Sequence, residues 1–258
     1  MEKKYKLTKE TINVFNKTLY RIEALRDFND VKKGDKGGFI EKEDNLSQSD
    51  NCWVYDNAMV FGNAEVYYNA KISGNARVFG NAIVRNNAHV YGNAEVYDDA
   101  KVFEDARIYG NAKICGDAKV CDDVVVYDNA RVFDKAKVYV NAEIFDDAKI
   151  YDDAKIYGLA WVYRNAEVCG NVEVCGDARI CGDAKVESNG DYIVFKNWWS
   201  SGRYFTWTKS NDMWKVGCFY GTGKELIDKA YMDSEISGRE YERIVKYVKT
   251  INNDLEIM

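Results

Sequence analysis

The most regular feature of the chain is a branched residue that recurs at every sixth position from Val54 to Val186. All 23 of these positions hold Val or Ile, and 20 of the 22 positions from 58 to 184 that lie four residues after one of them hold Ala. Each Ala-x-Val segment alternates inward and outward side chains, which is the period of a β-strand. The Gly-Asn and Asp-Asp pairs that follow tolerate left-handed backbone. Each six-residue unit therefore predicts one short strand and one corner.

Three such units make one coil of 18 residues. Stacked coils predict a mainly β protein in which residues 51–187 form a parallel β-helix of about seven coils. The chain contains no proline, which suits a continuous hydrogen-bonded ladder because proline cannot donate to it. Residues 1–50 lack the repeat, contain a predicted strand over 17–25, and are expected to cap the N-terminal end.

Residues 188–258 are expected to form a small C-terminal α+β domain. Strands are predicted over 192–195, 203–208 and 213–216, where aromatic and branched residues are dense. Capping boxes that begin at Thr222 and Ser237 predict two helices. This domain therefore has three short strands followed by two helices.

The repeat resembles the hexapeptide-repeat family, and this resemblance implies a left-handed β-helix and a homotrimer. The segments at 26–31 (Arg-Asp-Phe-Asn-Asp-Val) and 37–38 (Gly-Gly) resemble uncharacterised, acetyltransferase-like members from enterobacteria and their phages. Residues 217–222 (Gly-Cys-Phe-Tyr-Gly-Thr) resemble a small C-terminal domain of phage and prophage repeat proteins. The resemblance therefore implies a phage or prophage origin.

The period of 18 sorts the outward side chains onto three faces. Face one, which carries an aromatic ladder, is a candidate oligomer interface, and its residues are Tyr91, Tyr109, Tyr127, Phe145, Trp161 and Tyr163. The alternative is that these rings only stabilise neighbouring coils by stacking. Face three carries Lys101, Lys119, Lys137 and Lys155. This lysine ladder is open to two interpretations, a polyanion site or a row neutralised by carboxylates at the corners.

The C-terminal domain combines aromatic side chains, hydroxyls, cations and a helix start within a short stretch. Aromatic rings and Arg can stack on and clamp an anionic ligand, and a helix N-terminus offers free amides. The predicted ligand-binding residues are Trp198, Trp199, Ser201, Arg203, Trp207, Trp214, Tyr220, Thr222 and Lys224. The competing interpretation places the tryptophans in the core of a small β-layer.

Composition narrows the classes of function. A formal net charge of -6 argues against general nucleic-acid binding. No apolar run is long enough for a membrane helix, and the N-terminus lacks a secretory signal, so we expect no membrane association and a cytoplasmic location. The seven cysteines lack metal-finger spacing, and no metal or cofactor is predicted.

The sequence thus predicts a non-enzymatic binding or scaffold protein. Its β-helix oligomer would present C-terminal domains that bind and sequester a small anionic, nucleotide-like ligand. One alternative is an acyl-CoA-dependent acyltransferase, implied by the resemblance, with acetyl-CoA as cofactor and His89, the one histidine, as the candidate catalytic residue. The other alternative is a purely structural assembly protein.

Overall fold

The protein is a parallel β-solenoid of about eight turns with an N-terminal segment that extends one of its sheets and a small C-terminal domain, as seen in a computed structural model that describes residues 3–257 and the side chains of residues 3–252. Each strand pairs in parallel with the strand 18 residues later, as in His89 with Arg107. The predicted parallel β-helix is confirmed. It has about eight turns, where the repeat predicted seven, because residues 39–46 already pair with the first regular coil.

The solenoid contains 23 strands of two residues each, β4–β26. Their bounds are Trp53–Val54, Met59–Val60, Glu65–Val66, Lys71–Ile72, Arg77–Val78, Ile83–Val84, His89–Val90, Glu95–Val96, Lys101–Val102, Arg107–Ile108, Lys113–Ile114, Lys119–Val120, Val125–Val126, Arg131–Val132, Lys137–Val138, Glu143–Ile144, Lys149–Ile150, Lys155–Ile156, Trp161–Val162, Glu167–Val168, Glu173–Val174, Arg179–Ile180 and Lys185–Val186. Face one is the sheet of eight such strands, and face three is the sheet of seven.

The interior and the corners follow the repeat. The Val, Ile and Ala positions are buried along the whole prism, and they form one continuous core. The corners use left-handed backbone, with φ of +70° at Gly92 and +58° at Asp98. Corner carboxylates also join coils, because the Asp122 Oδ2 accepts a hydrogen bond from the Val140 N–H at 2.8 Å. The prism is therefore held together by apolar packing inside and polar ladders at its corners.

The N-terminal segment extends one sheet of the prism. It consists of β1 (Tyr5–Val14), β2 (Lys17–Ala24), β3 (Lys36–Ile40) and a 3₁₀ turn at Glu43–Asn45. The hairpin β1–β2 pairs antiparallel with β3, and β3 pairs in parallel with β5. The predicted strand over 17–25 is present as β2, whereas β1 was missed.

The C-terminal domain is a four-stranded antiparallel sheet followed by two helices, α1 (Gly223–Asp233) and α2 (Glu235–Ile257). The strands are β27 (Tyr192–Lys196), β28 (Tyr204–Thr208), β29 (Met213–Val216) and β30 (Phe219–Thr222). No helix within the described residues is long and apolar enough to span a membrane.

Two details of this domain differ from the prediction. The strand β30 was missed because only Gly217 and Cys218 separate it from β29, and a segment of four residues ending in Gly-Thr has a weak strand signal. The capping box at Thr222 is confirmed. The capping box predicted at Ser237 is wrong, because α2 begins before Ser237 and the Ser237 N–H donates to the Ser234 hydroxyl.

The last coil of the solenoid is capped by side chains. In earlier coils the N–H of a strand's first residue donates to the carbonyl of the Ala, or in two cases Val, that occupies the small-residue position of the next coil, as Trp161 does to Ala178 at 2.9 Å. In the last coil the acceptors are the Asn189 Oδ1 for Glu173, the Thr206 Oγ1 for Arg179 and the Ser210 Oγ for Lys185, at 2.9, 3.0 and 2.7 Å. One polar side chain on each face thus ends the ladder and docks the C-terminal domain.

We expect Thr206→Val to destabilise this junction by about 1–3 kcal/mol, because it leaves the Arg179 N–H, which lies against the buried Thr206 side chain, without an acceptor. The change conserves shape and removes only the hydroxyl. Amide hydrogen exchange of Arg179 should accelerate in the valine variant. Thr206→Ser keeps the acceptor and should exchange as slowly as the parent; equal exchange in all three proteins would refute the capping role.

Candidate functional site

Two of the nine residues predicted to bind a ligand lie in the core of the C-terminal domain. Trp207 and Trp214 are cross-strand partners in β28 and β29, and they are 3% and 0% exposed. The Trp207 Nε1 donates to the Asp212 Oδ1 at 2.8 Å. The sheet face that carries both indoles is covered by α1 and α2. Both tryptophans are therefore packed in a core, as the competing interpretation predicts.

Trp198 and Trp199 lie in a turn between β27 and β28, and each is 75% exposed. The buried side chain of Asn197 organises this turn, since its Oδ1 accepts the N–H of Trp199 at 3.0 Å and its Nδ2 donates to the Ser200 hydroxyl at 2.9 Å. The Lys196 ammonium lies 4.1 Å from the centre of the Trp198 ring. The turn therefore holds two large indoles at the surface.

The remaining five predicted residues lie in three other places. Ser201 and Arg203 follow the tryptophan turn, where the Ser201 hydroxyl accepts the Arg203 N–H at 3.3 Å. Tyr220 faces the solenoid, with its ring 4.9 Å from the Arg164 guanidinium. Thr222 is the N-cap of α1, and Lys224 is exposed on the first turn. The structure does not bring the nine residues into one pocket, and ligand binding by the exposed ones stays a prediction.

A groove that sequence reasoning missed lies between β27 and α2. It encloses about 640 Å³ and is lined by Ile193, Phe195, Trp199, Ile244, Tyr247, Val248 and Ile251, with Glu240 and Arg243 completing the wall. The Arg243 guanidinium donates to the Glu240 carboxylate at 2.8 Å. The sequence did contain a sign of this groove. Apolar residues at positions 244, 247, 248 and 251 have the spacing that places them on one side of a helix.

The aromatic ladder on face one is stacked within the chain. Ring centres of Tyr91, Tyr109, Tyr127, Phe145 and Tyr163 follow one another at 4.8–5.0 Å, nearly parallel. Trp161 packs edge-on against Phe145 at 6.0 Å. All six side chains are half-buried. Each of the three central rings has a stacked ring above and below, and each end ring has one. Stacking of coils therefore accounts for the ladder, and its role as an oligomer interface stays a prediction.

The lysine ladder on face three is only partly neutralised. The Lys155 Nζ lies 2.7 Å from the Glu173 carboxylate. Lys101, Lys119 and Lys137 are exposed and form no ion pair with any residue that the structure describes. The nearby corner carboxylate of Asp122 accepts the Val140 backbone N–H. The polyanion interpretation of this face therefore remains a prediction.

His89 is half-buried on face one and not isolated from other polar groups. Its Nε2 forms a hydrogen bond of 2.9 Å with the Ser73 hydroxyl, and its ring centre lies 4.4 Å from that of Tyr91. Burial lowers the pKa of His89, and the charges of Lys71 and Arg107 lower it further. Both effects favour the neutral form of the imidazole. A catalytic role for it stays a prediction.

Comparison with known proteins supports the repeat architecture. Residues 70–86 match the family model described as the YdcK beta solenoid repeat. The matched segment is about one coil and includes Lys71 and Ser73. No curated protein matches the chain. The chain is thus similar to a β-solenoid repeat family over one coil, while the hexapeptide-repeat relationship and the phage-type C-terminal domain stay predictions.

Proposed function

We propose that the protein is a non-enzymatic scaffold in which C-terminal domains of several copies associate and the solenoids act as rigid spacers. The observation that carries this proposal is the position of the exposed apolar side chains. Seven of the eleven large exposed hydrophobic residues found within the described chain lie in the C-terminal domain, namely Trp198, Trp199, Tyr204, Tyr231, Met232, Ile236 and Tyr247. A concentration of exposed apolar side chains in one domain is a feature of interaction surfaces.

The occupant we propose for the groove is a second copy of this chain. The C-terminal domain carries both a protruding indole, Trp198, and an apolar groove large enough to accept one. Aromatic side chains that fill a pocket on a partner dominate the energy of many interfaces. Contacts between a projecting group on one copy and a pocket on the next close into a ring when the rotation between the copies permits it. This arrangement supports the homotrimer expected from the family resemblance.

The groove is less suited to the anionic ligand expected from the sequence. Its lining is apolar, and its single cation, Arg243, is paired with Glu240. A carboxylate or phosphate placed there would lose its hydration without gaining a free positive group. A protein surface that offers an aromatic side chain fits the groove better. Self-association is therefore preferred over sequestration of a small anion at this site.

The test is the double variant Trp198→Ser/Trp199→Ser, examined by light scattering over a range of concentrations. We expect the parent to be a trimer at micromolar concentration. The trimer of the variant should dissociate at protein concentrations at least tenfold higher than those at which the parent trimer dissociates, because buried aromatic anchors commonly contribute about 2 kcal/mol or more each. Trp161→Ser, which removes a half-buried indole from face one, is the matched control and should leave the trimer intact.

The same experiment can contradict the proposal in two ways. A parent that is monomeric throughout the micromolar range would exclude self-association as its function. A trimer that survives the double variant but dissociates in Trp161→Ser would place the interface on face one.

A further inference from the structure

Three basic side chains form a row across face one near the N-terminal end of the solenoid. Lys71, His89 and Arg107 are register partners in consecutive strands, so their backbones are about 4.8 Å apart. Arg107 is exposed and forms no ion pair with any described residue. Lys71 is paired with the Asp30 carboxylate at 3.2 Å, and the pKa of His89, which lies between the two cations, is lowered. Arg107 is therefore the cation of this row that an anionic ligand would partner.

The row forms one wall of a polar cavity of about 520 Å³. The opposite wall is a ladder of corner side chains, one from each coil. The amides of Asn51, Asn69 and Asn87 each donate to the side chain 18 residues later, and the last acceptor is the Asp105 carboxylate; the distances are 3.0–3.2 Å. Each carboxamide has two N–H donors, and the ladder uses one of them. A second donor on each amide is therefore available to a ligand.

The N-terminal segment closes this cavity at one end. Asn29 lines it from a tight loop, with a left-handed φ of +45°. The next residue, Asp30, fixes the loop to face one, because its carboxylate accepts hydrogen bonds from the Tyr55 hydroxyl at 2.8 Å and the Lys71 ammonium at 3.2 Å. This loop of the N-terminal segment thus turns a flat face of the solenoid into a concave site.

We propose that this cavity binds a small phosphorylated ligand, with Lys71, His89 and Arg107 on the phosphate and the asparagine ladder on hydroxyl groups of the remainder. A phosphate group has several acceptor oxygens and can accept hydrogen bonds from the Arg107 guanidinium and the Lys71 ammonium, which line the same cavity as His89. The cavity is much larger than a phosphate ion, and its other wall carries amide donors and the Asp105 carboxylate. Those groups match the hydroxyls of a sugar or polyol.

The electrostatics of His89 make binding measurable. Burial, followed by the charges of Lys71 and Arg107, lowers the pKa of His89. The other charged groups of the site are Asp30 on the cap loop and Asp105 at the end of the ladder. A bound dianion would neutralise the cations and favour the imidazolium form. Binding should therefore raise the pKa of His89.

The experiment is a titration followed by NMR of the single histidine, using inorganic phosphate, ribose 5-phosphate and ribose as probes. We expect saturable shifts of the imidazole resonances with both phosphates, tighter binding of ribose 5-phosphate than of phosphate, and none with ribose. Arg107→Gln should weaken phosphate binding about tenfold or more. Arg131→Gln, which removes an equivalent exposed arginine from another face, should bind as the parent does.

Three results would overturn this inference. Shifts that do not saturate with either phosphate would show that the cavity is not a phosphate site. Equal weakening in Arg107→Gln and Arg131→Gln would reduce the effect to general surface charge. Ribose 5-phosphate that binds no more tightly than phosphate would refute the role given to the asparagine ladder. Circular dichroism of each variant checks that the solenoid is intact.

Discussion

Trp214→Ala should destabilise the C-terminal domain by about 3–5 kcal/mol, the usual cost of removing a large aromatic side chain from a core. Trp214 is fully buried, packs edge-on against Phe205 and lies beneath both helices. The cavity left behind cannot collapse easily, because strands on either side hold the backbone in register. Amide hydrogen exchange in 223–252 should accelerate a hundredfold or more, while the solenoid stays protected.

Trp199→Ala is the matched control for this prediction. Its side chain is 75% exposed, so the substitution should change stability by no more than about 0.5 kcal/mol. The two tryptophans thus separate the core interpretation from the ligand-site interpretation. Slow exchange in the Trp214 variant would contradict the packing described for this domain.

Ile114→Ala should cost about 2–5 kcal/mol, because it removes a buried branched side chain from the middle of the prism. Ile114 is fully buried, and its strand pairs with Glu95–Val96 and Arg131–Val132 of the adjacent coils. In a solenoid each coil contacts only its neighbours, so the cavity weakens both neighbouring interfaces. Denaturant unfolding followed by circular dichroism should show a lower midpoint.

Lys119→Ala is the control for Ile114, since it changes an exposed side chain on the next strand. It should leave the midpoint within about 0.5 kcal/mol of the parent, or raise it slightly by relieving repulsion between neighbouring lysines. An equal loss of stability in both variants would show that the interior row does not dominate the stability of the prism.

The solenoid could be predicted because its interactions repeat. One interior branched residue, one Ala and one left-handed corner specify each strand, and every coil meets the same environment as the next. Twenty-three matching positions leave little room for another register. Val124 and Val172, which replace Ala at the small-residue position, are also buried inside the prism, so the pattern tolerates them.

The ends and the candidate sites could not be predicted in the same way, because they depend on contacts between distant segments. Whether Trp207 is core or ligand-binding depends on which sheet face the helices cover. The cavity beside His89 depends on where the loop with Asn29 lies, and nothing local in the sequence places that loop over face one. The groove beside Tyr247 could not be predicted either, because it forms only where α2 packs beside β27.

Hydroxyl-radical footprinting of aromatic side chains tests the proposed self-association most directly. Between a dilute and a concentrated solution of the parent protein, oxidation of Trp198, Trp199 and Tyr247 should fall as the C-terminal domains associate. Oxidation of Tyr109 and Tyr127, half-buried on face one, should not change. Protection of these two tyrosines, with Trp198 and Trp199 oxidised equally at both concentrations, would contradict the account.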